Sequence, residues 1–308
     1  MADINLALVA ALNAAGINTE AVVLSTRNNG VINKLYPVAS DFNYVVAKAN
    51  IGEKYYLLDA TDTQLPFGLL PEHCINDQGR VMSLNKPSYW IDLVASQKKG
   101  RTYIMNLTLQ TNGKLTGKMN HYSTGYEALE QRRNIRKFNS IEEYVENLDE
   151  AMPKIKILNH QIINVDSLDK TLSESYDIEI NLYDNMDAQR IAFNPYFFNR
   201  ITENPFKMAD RTYPVDWGAP TDTKVVLTVH LPANYVVETP PQNLGLVMPN
   251  NGGRFVTDYI AQDDSFSFSH IIQLNNSIYS SEEYPYLKEL FNKIIQSEKA
   301  DIIFKKKS

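Results

Sequence analysis

The sequence predicts an α+β fold: a partial helix-plus-antiparallel-sheet unit first, then β-rich, sandwich-like domains carrying one or two helices. Three observations carry that expectation. Ile4, Leu8, Ala11, Leu12 and Ala15 recur at helical spacing near the start. Short alternating runs rich in β-branched and aromatic residues follow, each bounded by Gly, Pro, Asn or Asp. Helical periodicity returns only around 127–151 and near the C-terminus, where Leu287, Leu290, Phe291 and Ile294 share a face.

Taken in order, the first helix spans Asp3 to Ala15 and ends at Gly16, a C′ residue free to adopt a left-handed backbone. Ala21–Thr26, Phe42–Ala49 and Lys54–Leu58 read as strands, the last two joined by a tight hairpin at Ile51-Gly52-Glu53. Pro66, Gly68 and Pro71 then mark a loop-rich exit. Arg101–Thr111 and Lys114–Tyr122 form a hairpin about Asn112-Gly113. A charged helical stretch covers Glu127–Phe138, and Ser140 caps a further helix running to Ala151. Strands follow near 155–165 and 173–182, and 194–217 reads as an aromatic, proline-rich connection. Lys224–Leu231, Gly253–Gln262 and Ser265–Leu274 alternate cleanly; a helix over Glu282–Ser297 and a strand over Ala300–Phe304 close the chain. The expected units are 1–98, 99–215 and 216–308.

Composition narrows the function classes. With 44% hydrophobic and 21% charged residues, the 308-residue chain has enough apolar material for a packed core. A net charge of −6 and a pI near 5.5 supply no field to recruit nucleic acid, and the Lys305-Lys306-Lys307 run reads as a terminal tail. Cys74 is the single cysteine, so neither an internal disulfide nor a Cys-x-x-Cys zinc site is expected. No apolar run has the ~18–20 residues of a membrane helix. No cofactor motif is present, and the scattered histidines have no metal-ligand spacing.

The run Ala2-Asp3-Ile4-Asn5-Leu6, the strand Ala21–Leu24 and the hairpin ending Leu58-Asp59-Ala60-Thr61-Asp62 together resemble the core of bacterial transglutaminase-like proteins of the papain-like superfamily, in which β-rich domains of unknown function flank the core. The resemblance covers roughly the first 75 residues. It implies a cysteine opening the helix, a histidine on a following strand and an aspartate closing the hairpin. Such a thiolate is stabilised by the helix N-terminus and an imidazolium, while the carboxylate orients the imidazole.

Only Asp59 matches that pattern. The cysteine position falls on Met1, and the histidine position falls on Asn43 or Tyr44. An amide does not titrate, and a phenol with pKa near ~10 is a poor base at neutral pH. The resemblance thus implies a remnant without a working triad, acting as a peptide-, protein- or glycan-binding or scaffolding module. The alternative is a fragment of a cysteine-type peptidase or transglutaminase whose nucleophile lies upstream of Met1. The abrupt helical start fits a longer parent whose N-terminal domains would be natural partners, periplasmic or in the cell envelope if it carries a signal peptide. Asp59 also has a structural reading, an Asx-type turn that binds backbone amides.

Other candidates are weaker. His73-Cys74 are adjacent and point apart in an extended segment, so no thiolate–imidazolium pair follows from sequence. Glu238 with Asp258, Asp263 and Asp264 has no spacing that defines a carboxylate pair. Trp90, the Tyr196-Phe197-Phe198 run and Trp217 are candidates for a stacking platform for ligand, or for the aromatic cement between elements.

Overall fold

The computed structural model describes residues 2–36, 38–83, 86–152, 154–182, 189–197 and 199–307. The architecture is α+β and β-rich, with two compact units, Met1–Lys98 and Lys99–Ser308. No helix among the described residues is long and apolar enough to cross a membrane.

The first unit comprises α1 (Ala2–Ala14), β1 (Thr19–Leu24), β2 (Tyr44–Ile51), β3 (Lys54–Leu58), β4 (Gln78–Met82) and β5 (Tyr89–Asp92). The strands form one antiparallel sheet in the order β3-β2-β1-β4-β5. The stretch expected to be a loop-rich exit therefore holds two strands. Both are short, and Gly79 within β4 hides its periodicity: a Cβ there would stand 2.7 Å from Val22. Helix α1 ends at Gly16, whose φ of 82° is the left-handed turn expected of it. Asn13 ties helix to sheet, accepting from the Thr19 amide and donating to the Thr19 carbonyl.

The apolar face expected for α1 is turned inward in part. Leu8 and Leu12 are half-buried, while Ile4 is 49% exposed and the buried residue of the helix is polar Asn5. Hydrogen bonding of Asn5 adds to the apolar periodicity in selecting the inward face.

The second unit opens with β6 (Lys99–Leu109), β7 (Lys114–Thr124), α2 (Gly125–Ile135), α3 (Ile141–Ala151), β8 (Ile155–Ile163) and β9 (Leu172–Asn181). It continues with β10 (Arg190–Phe193), β11 (Val215–Asp216), β12 (Thr221–His230), β13 (Tyr235–Thr239), β14 (Leu244–Val247) and β15 (Gly253–Ala261). It ends with β16 (Ser265–Leu274), β17 (Ile278–Tyr279), α4 (Tyr284–Ser297) and β18 (Ile302–Lys306).

Eight of these strands build one sheet in the order β14-β15-β16-β12-β6-β7-β9-β8. All neighbours are antiparallel except β12 and β6, which run parallel from Thr221↔Lys99 to His230↔Thr108. A parallel pair needs a long crossover, and here everything from β7 to β11 supplies it. The stretches 99–215 and 216–308, expected as separate units, thus share this sheet.

The three-stranded sheet β10-β18-β13 packs on it through Phe193, Phe266 and Phe304, a local sandwich. Helix α4 closes a second core by setting Leu287, Phe291 and Ile294 with Phe255 and Leu274. Ser140 caps α3 as its sequence predicts, accepting from the Glu143 amide at 3.1 Å, while Glu143 reaches back to the Asn139 amide. Gly117 permits the β6–β7 pairing, because a Cβ there would lie 2.1 Å from the Asn106 carbonyl oxygen.

Candidate functional site

Asp59 lies just past the end of β3, where the hairpin delivers it under the first turn of α1. Its carboxylate is 9% exposed and its oxygens are occupied by protein donors. Oδ1 accepts from Asn5 Nδ2 at 2.8 Å and from the Thr61 amide at 2.9 Å. Oδ2 accepts from the Tyr44 hydroxyl at 2.8 Å. Tyr44 has a single hydrogen, so the 2.9 Å contact between Tyr44 and Thr61 hydroxyls runs from Thr61 to Tyr44. Asn5 completes the cluster, donating to the Val45 carbonyl and accepting from the Ala60 amide.

Of the two residues that the resemblance sets at its histidine position, Tyr44 is therefore the one that meets Asp59. Asn43 is engaged elsewhere: its Oδ1 accepts from the Thr26 amide and its Nδ2 donates to the Thr26 hydroxyl. Burial, and with it the hydrogen bond and negative charge of Asp59, pushes the Tyr44 phenol up to about 12. Burial followed by the same charge pushes the Cys74 thiol up to about 12, so Cys74 is an inert buried thiol at neutral pH. His73 is exposed and meets the Tyr44 ring edge-on, with centroids 5.3 Å apart. Met1, where the resemblance sets a cysteine, lies outside the described residues, as does Phe198.

The aromatic candidates separate. Trp90, on β5, stacks on Phe42 and holds the Arg80 guanidinium 4.9 Å from its ring centre. Tyr196 and Trp217 come together in the wall of one cavity of about 540 Å³, with Phe268, His270, Phe291 and Glu298. Phe197 lines another cavity, of about 620 Å³, between α2, α3 and the large sheet. Glu238, for which spacing predicts no carboxylate pair, holds Arg190 through both oxygens.

That larger cavity contains a cluster in which only His121 stands out in the sequence, as a histidine that could serve the cysteine-type alternative. His121 and Glu174 face each other across β7 and β9, with Nδ1 2.9 Å from Oε1. Glu174 also accepts from Gln131 Nε2 and from the hydroxyls of Tyr144 and Tyr176. Burial alone would raise its pKa, but these bonds and the His121 charge bring the carboxyl below its ordinary value. Tyr103 stacks flat on His121 at 4.3 Å, and Arg101 pairs with Glu127 at the same wall. One sequence signal marks the cluster: Glu174 falls in phase with Leu172, Ile178 and Ile180, a carboxylate on an inward stripe.

Among the described residues no group of three His, Cys, Asp or Glu side chains is placed to hold a metal.

Comparison with curated proteins finds no significant match. The solved structure of a candidate protease from Parabacteroides distasonis ATCC 8503 is similar at 15% identity and a TM-score of 0.47. The match covers 98% of this chain and 43% of that one, so the chain spans less than half the length of that protein. Residues 189–304, which include Tyr196, Trp217, His270 and Glu298, match the model of a domain of unknown function with a solved structure, DUF3858.

Proposed function

We propose that the first unit is a degenerate transglutaminase-like core, and that the chain serves as a non-catalytic binding or scaffolding module for peptide, protein or glycan. The observation carrying this reading is the occupancy of Asp59. A carboxylate that orients a catalytic imidazole keeps an oxygen for that ring. Here Asn5, Thr61 and Tyr44 take both oxygens, and the phenol in the imidazole's position is shifted further from neutrality. Hydrogen bonds to a charged group contribute about 1.5–3 kcal/mol each, which supports a structural role for the cluster. The cavities of the second unit, about 620 and 540 Å³, fall in the ~300–1,000 Å³ range of ligand sites and give a binding role somewhere to act.

The test is a peptide hydrolysis and amine-incorporation assay on the chain and on Asp59→Asn, run beside peptide and glycan arrays. Ligand retention without turnover is the expected result. Turnover abolished by Asp59→Asn would overturn the reading in favour of a cysteine-type enzyme completed from outside this chain.

A further inference from the structure

The cavity of about 540 Å³ is lined by aromatic and apolar side chains, Trp217, Phe268 and Phe291 among them, and by polar and charged ones that include Lys99, Arg101 and Glu130. His270 lies among the aromatic ones. It projects from the middle of β16, where its neighbours in register are Val225 and Thr257. It is 4% exposed, and neither ring nitrogen has a hydrogen-bond partner. Tyr196 and Phe255 meet its ring edge-on, and Phe268 lies nearly parallel to it.

Glu298 faces it. Its Oε1 stands 3.7 Å from His270 Nε2, beyond hydrogen-bond reach, while Oε2 accepts from the Ile201 amide. The pair is not an ion pair near neutrality. Burial drives the His270 imidazole down to about 4, and burial likewise lifts the Glu298 carboxyl to about 7. A neutral imidazole and a carboxyl that holds its proton up to about 7 face one another across a gap, beside aromatic side chains. A buried imidazole with both nitrogens unpaired is rare in folded proteins and calls for a partner.

We propose that this cavity binds a small uncharged aromatic molecule bearing a hydroxyl group, held by its rings among Trp217, Phe268 and Phe291 and by its oxygen between His270 and Glu298. A neutral imidazole offers one lone pair and one N–H, and a protonated carboxyl offers one O–H. A phenolic hydroxyl matches both, donating to the imidazole lone pair and accepting from the acid. At the His270–Glu298 end an anionic ligand is disfavoured, because its charge would be buried beside the Glu298 carboxyl, and Arg101 in the same lining is held by Glu127. The volume exceeds what an ordered water needs. The inference rests wholly on residues between 99 and 308. It stands or falls separately from the reading of Asp59.

The test uses the whole chain and three two-ring probes, 2-naphthol, naphthalene and 2-naphthoate, with calorimetric titration and nitrogen NMR of the histidine rings. Saturable binding of 2-naphthol that shifts the His270 ring resonances is expected. Naphthalene and 2-naphthoate should bind at least about tenfold more weakly, the worth of one good buried hydrogen bond. His270→Leu should lower 2-naphthol affinity by a similar factor while leaving naphthalene unchanged. Should that variant fail to fold, the probe series and ring shifts on the wild-type chain still decide. Absence of saturable 2-naphthol binding, binding without a His270 shift, or equal affinity for naphthalene overturns the proposal; water is then the partner of the imidazole.

Discussion

Tyr44 donates its phenolic hydrogen to Asp59 Oδ2 at 2.8 Å. The same hydroxyl oxygen receives the Thr61 hydroxyl at 2.9 Å, and Thr61 bonds Asp59 again through its amide. Three residues thus form a closed ring of hydrogen bonds, and both carboxylate oxygens already hold a protein donor.

Tyr44→Phe removes the donor to Oδ2 and the acceptor of Thr61 together. The substitution should destabilise the first unit by about 2 kcal/mol, since it leaves a buried carboxylate oxygen unpaired. The chain has 2 tryptophans, so Trp217→Phe leaves Trp90 to report on this unit. A urea midpoint of Trp90 fluorescence unchanged by Tyr44→Phe would show that the ring of bonds contributes nothing.

Asn5→Ala should cost more, about 2–4 kcal/mol, because the side chain is fully buried and serves three partners. Amide exchange locates the effect. The Ala60 amide, which donates to Asn5 Oδ1 at 2.8 Å, should lose protection first. Uniform loss across both units would argue against a local role.

Arg132 is fully buried on α2, and its guanidinium donates to the carbonyls of Asn164, Ser167, Leu168 and Lys170. It holds the β8–β9 connection from within. Arg132→Met keeps the volume but strands these acceptors, and about 3 kcal/mol or more should be lost. Limited proteolysis should then cut between 164 and 171, where the wild-type chain resists.

Glu298 and His270 bias stability in opposite directions with pH. Glu298 titrates at about 7 in the fold against an ordinary 4.5, so the folded chain holds a proton that the unfolded chain releases. Its stabilising share is complete below about 4.5 and is lost as pH rises through about 7. His270, at about 4 against an ordinary 6.5, contributes fully above 6.5 and loses its share as pH falls through 4. Glu298→Gln removes only the first effect and retains an acceptor for the Ile201 amide. The Tm of the variant relative to wild type should rise between pH 5 and pH 8, by an amount equivalent to roughly 2 kcal/mol. A difference flat across that range would place the Glu298 carboxyl at its ordinary pKa.

Much of the local structure was legible because it is local. Ser140 with Glu143 announces the start of α3, and Asn112-Gly113 the turn between β6 and β7. The apolar face of α4, with Leu287, Leu290, Phe291 and Ile294 buried, follows from spacing alone. Strands β4 and β5 were not legible, because four- and five-residue strands with a glycine carry too little periodicity. The inward face of α1 was legible only in part: Leu8 and Leu12 are half-buried as their spacing predicts, but Asn5 is drawn in by three hydrogen bonds, which no hydrophobic pattern records.

The sequence by itself determined the α+β class, most element positions and Asp59 as the residue that closes the first hairpin. The tertiary structure decided what Asp59 meets. Strand pairing of Leu24 with Tyr44 sets which of Asn43 and Tyr44 faces inward, and a slip of one residue would exchange them. The same holds for His121 opposite Glu174, for β12 beside β6, and for Tyr196 and Trp217 in one wall with His270. Each is a contact between residues distant in the chain. Its partner is set by register and closure of the intervening segments, quantities that side-chain periodicity along one segment does not carry.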